Sequence, residues 1–328
     1  MKKLVSLVVS LAILAAIYWK IDIAKLIEAF RNTDPLWLAA SLGMVVPLTL
    51  FTSWRLQQLM PRRDQLGFGE ANKLILVASV LNLVLPSKGG DIAKAYFMRD
   101  KSGMSGSLAL SLVVFEKACD MLSLLLWCVF GLLVYPKKDL LFGVMTAGVL
   151  GCLVFGSLLL GSIAFANFFF GTATRFAPGK IGAKLGKMKD SWNEMHGYFW
   201  ASKRQLFKVA ATSVFIWFLH LLQIWMFILA LKAWTPFLTN LALAPLSILA
   251  GLLPLTFAGV GTRDAALVMF YEPYFPAATA AALGVLCTGR YLLPALGGLP
   301  FISQYINLAT QARKEKAEAA AEFEPNRK

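Results

Sequence analysis

Charge is scarce in this chain: Asp, Glu, Lys and Arg make up 15% of its 328 residues, where soluble domains carry about 25%. Histidine occurs only as His196 and His220, and cysteine four times. At 58% hydrophobic, with mean hydropathy +0.65, the chain lacks the polar surface that a water-soluble globule of this size needs. This argues against a soluble enzyme, a disulfide scaffold and a disordered protein. It also argues against a nucleic-acid binder, whose positive charge needs a solvated face. Cys119, Cys128, Cys152 and Cys287 sit in apolar runs without CxxC spacing and read as small buried hydrophobes. Two distant histidines make no metal site, so no metal and no cofactor are expected.

Acid is the scarcer half of the charge. There are 18 Asp+Glu against 32 Lys+Arg, a formal charge of +14. An apolar chain with a basic excess reads as an all-α polytopic membrane protein with basic cytoplasmic loops. Met1–Trp19 starts with Lys2 and Lys3 and ends in a Tyr-Trp pair without a small-x-small cleavage site, so it reads as an uncleaved first span. A short amphipathic helix over 21–33 follows, with Ile23, Leu26, Ile27 and Phe30 on one side. Full spans are expected over 35–54 (leaving into Arg55, Arg62 and Arg63), 108–135, 140–170, 209–231 and 277 to about 310. Leu74–Leu85 is too short to cross about 30 Å of hydrocarbon at ~1.5 Å per residue. It stops at Leu85-Pro86-Ser87-Lys88-Gly89-Gly90-Asp91 before a second short segment. Phe237–Leu253 breaks in the same way at Pro254 and at Gly259-Val260-Gly261-Thr262-Arg263-Asp264. Such breaks are tolerated at membrane depth where protein or a wet cavity covers the backbone.

The expectation is six full spans plus two re-entrant broken-helix pairs, with both termini cytoplasmic. Residues 171–208 carry eight cations (Arg175, Lys180, Lys184, Lys187, Lys189, Lys203, Arg204, Lys208) against Asp190 and Glu194. They read as a basic amphipathic loop whose Met188, Trp192, Met195, Phe199 and Trp200 can rest on a membrane surface. Residues 1–312 form one transmembrane domain, and 313–328 a charged cytoplasmic tail. The positive-inside rule favours this orientation, although Lys20, Lys25, Arg31, Lys137 and Lys138 fall on the other side.

The two breaks resemble each other. Lys117 follows Asp91 by twenty-six residues, and Arg290 follows Asp264 by twenty-six. Units of about 35–135 and 209–310 would therefore form an inverted repeat, a transporter architecture that places substrate where broken helices meet. Ionisable residues at membrane depth are expensive, and this chain gathers Lys88, Asp91, Lys94, Glu116, Lys117, Asp120, Arg263, Asp264 and Arg290 there. One reading is a polar cavity whose cations hold an anionic head group, with Gly89, Gly90, Gly259 and Gly261 letting backbone N–H groups approach phosphate oxygens. The other is that acid and base pair to lock the broken helices, with Lys88 and Lys94 snorkelling to the interface. His220 and Gln223 can line a cavity or bond between helices. Ser87 has no partner for a catalytic triad, and Gly259-x-Gly261 lacks the strand that a dinucleotide loop needs.

The run Asn82–Asp91 with Lys94, then Phe115-Glu116-Lys117-Ala118-Cys119-Asp120, then Ala258–Ala265 with Arg290, resembles the transmembrane region of lysylphosphatidylglycerol synthases, a flippase-like family of bacterial and archaeal membranes. The resemblance covers about residues 35–300. It implies an inner-membrane protein that moves an anionic or polyprenyl-phosphate-linked lipid, with a lipid- or glycan-synthesis enzyme as a possible partner. The short tail leaves no room for a soluble synthase domain, so lipid aminoacylation is not expected. Arginine is commoner in the family where this chain has Lys88, Lys94 and Lys117, and glutamate where it has Asp91 and Asp264. Lysine gives a point charge in place of a bidentate fork. The alternatives are a lipid-phosphate glycosyltransferase, which the carboxylate-poor loop disfavours, and a non-catalytic membrane partner of such an enzyme.

Overall fold

The computed structural model describes residues 23–85, 89–135, 138–177, 179–253 and 261–305. The first expected span, Lys88, Gly259 and the charged tail lie outside these residues. Among the described residues all regular structure is helical. In chain order the helices are α1 (Ile23–Arg31), α2 (Pro35–Gly43), α3 (Val45–Leu59), α4 (Phe68–Val84), α5 (Gly89–Ser102), α6 (Gly106–Val134) and α7 (Leu140–Gly161). Then come α8 (Ile163–Phe176), α9 (Lys180–Trp200), α10 (Lys203–Ala230), α11 (Phe237–Leu252), α12 (Thr262–Tyr271) and α13 (Ala277–Gly289), with a further helical run over 292–305.

Among the described residues five segments are long and apolar enough to cross a membrane: Pro35–Leu59, Gly106–Val134, Leu140–Gly161, Lys203–Ala230 and Ala277–Tyr305. The chain is an all-α, multi-pass membrane protein. Local chemistry sets the helix starts. The Asp34 carboxylate accepts from the amides of Leu36 and Trp37 at 2.9 and 3.1 Å, with Pro35 in the first turn. Ser162 does the same for the Phe165 amide at 3.2 Å. That cap corrects the expected span over 140–170: α7 ends at Gly161, and α8 turns away to pair with α9.

Two sets of helices repeat one packing plan. In the first, α3 packs on α4, α4 on α5 and α5 on α6; in the second, α10 packs on α11, α11 on α12 and α12 on α13. The sets run in opposite directions. The start of α10 meets the end of α3, where Gln205 donates to the Gln58 carbonyl at 2.7 Å. The end of the 292–305 run meets the first hairpin, where Lys101 lies 5.8 Å from the Tyr305 ring. At the other end the Asp34 amide donates to the Ala230 carbonyl at 2.7 Å. The last span of each set also lies on the first hairpin arm of the other. Gly131 of α6 touches the Ala242 carbonyl of α11, and Gly298 touches the Leu76 carbonyl of α4. A Cβ at either glycine would collide with that carbonyl.

Buried apolar residues form two large clusters. One holds Leu56, Leu59, Met98, Leu112, Phe115, Cys119, Phe199 and Val209, and the other Leu124, Cys128, Leu221, Phe227, Leu243, Tyr271 and Leu283. The helix α9 is not simply a membrane-surface element. Trp192, Met195 and Phe199 are buried, and Phe199 stacks on Phe115 with ring centroids 3.9 Å apart. Met188 and Trp200 alone of the five expected surface residues are exposed.

Candidate functional site

Along α6 the first apolar cluster reaches Cys119 and the second begins at Leu124; along α10 they meet between Val209 and Leu221. Polar side chains occupy that gap in two groups. The first forms around Arg55, which the sequence reading left at the edge of a span. The helix α3 continues past it to Leu59, and the side chain is buried. Its Nη2 donates to Glu116 Oε1 at 2.9 Å, and its Nη1 donates to Asp120 Oδ1 and to Ser213 Oγ, the latter at 3.0 Å. Lys94 Nζ holds the other Glu116 oxygen at 2.5 Å. Lys94 is thus 2% exposed and does not snorkel. Lys117, on the next turn face, keeps 45% of its side chain exposed and sits 3.3 Å from Asp91 and 3.9 Å from Asp120. Among the described residues this group has three cations (Arg55, Lys94, Lys117) and three carboxylates (Asp91, Glu116, Asp120), so it is neutral.

Gly89 and Gly90 open α5. Gly90 lies against the Ala78 carbonyl and Asn82, and Gly89 against Leu85, so these glycines close the hairpin tightly. In the second hairpin Gly261 has φ +107, which L side chains rarely adopt, and its amide donates to Asp264 Oδ2 at 3.1 Å. Arg263 grips Asp264 Oδ1 through Nε at 3.0 Å and Nη2 at 2.5 Å. The same Nη2 donates to the Gly284 carbonyl at 2.9 Å and to Thr288 Oγ1 at 2.7 Å. This pair pins α12 to α13. Gly284 makes room for it, because a Cβ there would lie 2.6 Å from Asp264 Oδ1.

Arg290 is different. It is 8% exposed; its Nη1 donates to Gln223 Oε1 at 3.0 Å and its Nη2 to the Tyr291 hydroxyl at 3.3 Å. Its Nε is buried and has no hydrogen-bond partner among the described residues. Among the described residues no carboxylate lies within ion-pair distance of it. Gln223 is itself fixed, donating to the Ser41 carbonyl at 2.9 Å. One turn away His220 carries a buried Nδ1 that also lacks a partner, and the charges acting on it are Arg290 and Arg55. Trp217 flanks His220, with ring centroids 5.6 Å apart. Trp225 bonds the Thr235 carbonyl at 2.9 Å.

The helix α10 therefore links the two groups. Ser213 touches Arg55, Gln223 touches Arg290, and His220 lies between. Ten residues of rise place these contacts about 15 Å apart. Chemically, the seam offers one self-neutralised network and one desolvated guanidinium with a vacant donor beside an imidazole and an amide. That combination fits an anionic oxygen group.

The family model described as Lysylphosphatidylglycerol synthase TM region matches residues 3–298. A UPF0104 membrane protein of Methanocaldococcus jannaschii is 25% identical over 327 residues, covering 90% of this chain and 93% of the relative.

Proposed function

The chain belongs to the lysylphosphatidylglycerol synthase TM region family, and from that premise we propose that it is a transporter that helps an anionic phospholipid or a polyprenyl-phosphate-linked lipid cross the inner membrane. The observation that carries this reading is Arg290, a buried cation without a carboxylate partner among the described residues. A buried unpaired charge is costly, and a lipid phosphate seated against Arg290 and Gln223 removes that cost. The acyl or prenyl chains would stay in the bilayer while the head group follows the polar side chains of α10.

The two hairpins serve as re-entrant pairs that dip from opposite faces and meet near mid-depth. The end bearing Arg62, Lys73, Arg99, Lys101, Arg204 and Lys208 is taken as cytoplasmic by the positive-inside rule. In this reading Lys117, solvent-accessible and held only by Asp91 and Asp120, meets the head group at the first hairpin.

Reconstitution into liposomes tests the proposal. Wild-type protein should translocate a fluorescent anionic phospholipid faster than a zwitterionic one. Lys117→Ala and Arg290→Ala should fold yet lose translocation; unchanged rates in both variants would remove the proposed site.

A further inference from the structure

Outside the polar seam, the basic end holds a cavity of about 620 Å³. It lies where the end of α3, the turn Arg62–Asp64 and the start of α10 come together. That is within the ~300–1,000 Å³ range of small-ligand pockets. Glutamine amides build its walls. Gln57 donates to the Leu66 carbonyl and Gln65 to the Gln57 carbonyl, both at 2.8 Å. Gln205 donates to the Gln58 carbonyl at 2.7 Å and to the Tyr198 hydroxyl at 2.9 Å.

The lining is cationic. Among the described residues Arg62, Arg204 and Lys208 line the cavity and no carboxylate does. Among the described residues none of these three is ion-paired. Ser202, the N-cap of α10, also lines it, and its side chain makes no capping bond. The positive end of a 28-residue helix thus adds to the same potential. Acidic residues are available in the chain, so a pocket with three cations and none of them is selective for anions. The cavity sits directly outward of the first charged group. Gln58 is three residues from Arg55 on α3, and Lys208 five residues from Ser213 on α10, steps of about 4.5 and 7.5 Å.

We infer that this pocket is a second binding site, at the basic face, for a phosphate-bearing anion, presented either by a lipid head group or by a soluble phosphate compound. Arg62 and Arg204 supply planar donors and Lys208 a mobile point charge. The site does not depend on the transport reading, since it shares no residue with Arg290 and its surroundings.

The full chain in phosphatidylcholine nanodiscs is titrated calorimetrically with dioctanoyl phosphatidylglycerol and, in a separate arm, with inorganic phosphate. The Arg204→Ala/Lys208→Ala double variant should lose at least about tenfold in affinity, given two charge-assisted bonds removed. Arg62→Ala should lose less, and added salt should weaken binding. The glutamine versions, which keep polar walls, should show the same loss. Where the double variant loses binding, tighter binding of the lipid by wild type identifies a lipid head group, and equal or tighter binding of phosphate a soluble ligand; both then uphold the pocket. Absence of binding of either probe to wild type overturns it. So does unchanged binding in the double variant. If Arg290→Ala then abolishes lipid binding, the central site stands without the pocket; if the pocket variants alone lose binding, the pocket stands without the central site.

Discussion

Among the described residues, Arg55, Lys94 and Lys117 face Asp91, Glu116 and Asp120 in the charged group of the first half, whereas that of the second half sets Arg263 and Arg290 against Asp264 alone. The two halves share a packing plan and a twenty-six-residue spacing from hairpin acid to span cation. Their charge balance is where they part. Lys117 is accessible and paired; Arg290 is enclosed and, among the described residues, bonded only to neutral groups. A network that neutralises itself holds helices together, while a desolvated cation without a counter-charge is poised for a ligand that brings one. Under the proposed transport function, the repeat thus carries a largely self-paired charge cluster on one side and a receptive cation on the other.

That contrast can be broken by mutation, most strongly at Glu116. It is the shared acceptor of Arg55 and Lys94, all three buried. Glu116→Ala strands Lys94, takes one of the two carboxylates from Arg55 and should cost about 3–5 kcal/mol, read as a large fall in melting temperature in detergent or as loss of folded protein. A small effect would mean that the first cluster is not what holds α3, α5 and α6 together. Next in size are the two glycine crossings. Gly131→Ala and Gly298→Ala each push a methyl into a carbonyl of the opposite half and should each cost about 1–3 kcal/mol. Similar losses by denaturant titration would sharpen the equivalence of the halves, and a loss at one alone would break it. Smallest is Lys117→Gln. Its pairs are accessible and long, at 3.3 and 3.9 Å, so stability should change by no more than about 1 kcal/mol.

Much of the fold was legible because hydropathy reports depth directly: four of the described spans fell where apolar length placed them, and the short broken segments were visible from Pro86 and Pro254. Depth is not azimuth, however. The i, i+4 spacing of Glu116 and Asp120 announced a shared face, but nothing local says that Lys94 and Arg55 reach it. Arg55 was hidden because a charge at the end of an apolar run looks like an interface, whereas the stop for α3 is Pro61, six residues on. Ser162 was hidden for the opposite reason. Apolar residues continue on both sides of it, and only its capping bond to Phe165 marks the break. On α9 the amphipathic face was evident but not its cover, since Phe115 answers Phe199 from α6, far away in sequence, and Phe170 answers Trp192 from the preceding helix α8. Among the candidate site residues, Arg290 was singled out by its depth, its spacing from Asp264 and the family resemblance; the absence of a carboxylate partner among the described residues is a tertiary fact.

The melting temperature of Arg290→Gln, with and without dioctanoyl phosphatidylglycerol, bears most directly on the receptive role of this cation. Without the lipid the variant should be as stable as wild type or more so, because a buried charge has been removed without stranding an acid. With the lipid, wild type should rise by mass action and the variant by less, keeping only what the basic-end pocket contributes. A variant that is markedly less stable without lipid, or that rises with lipid as far as wild type does, would contradict the assignment of Arg290 to a ligand.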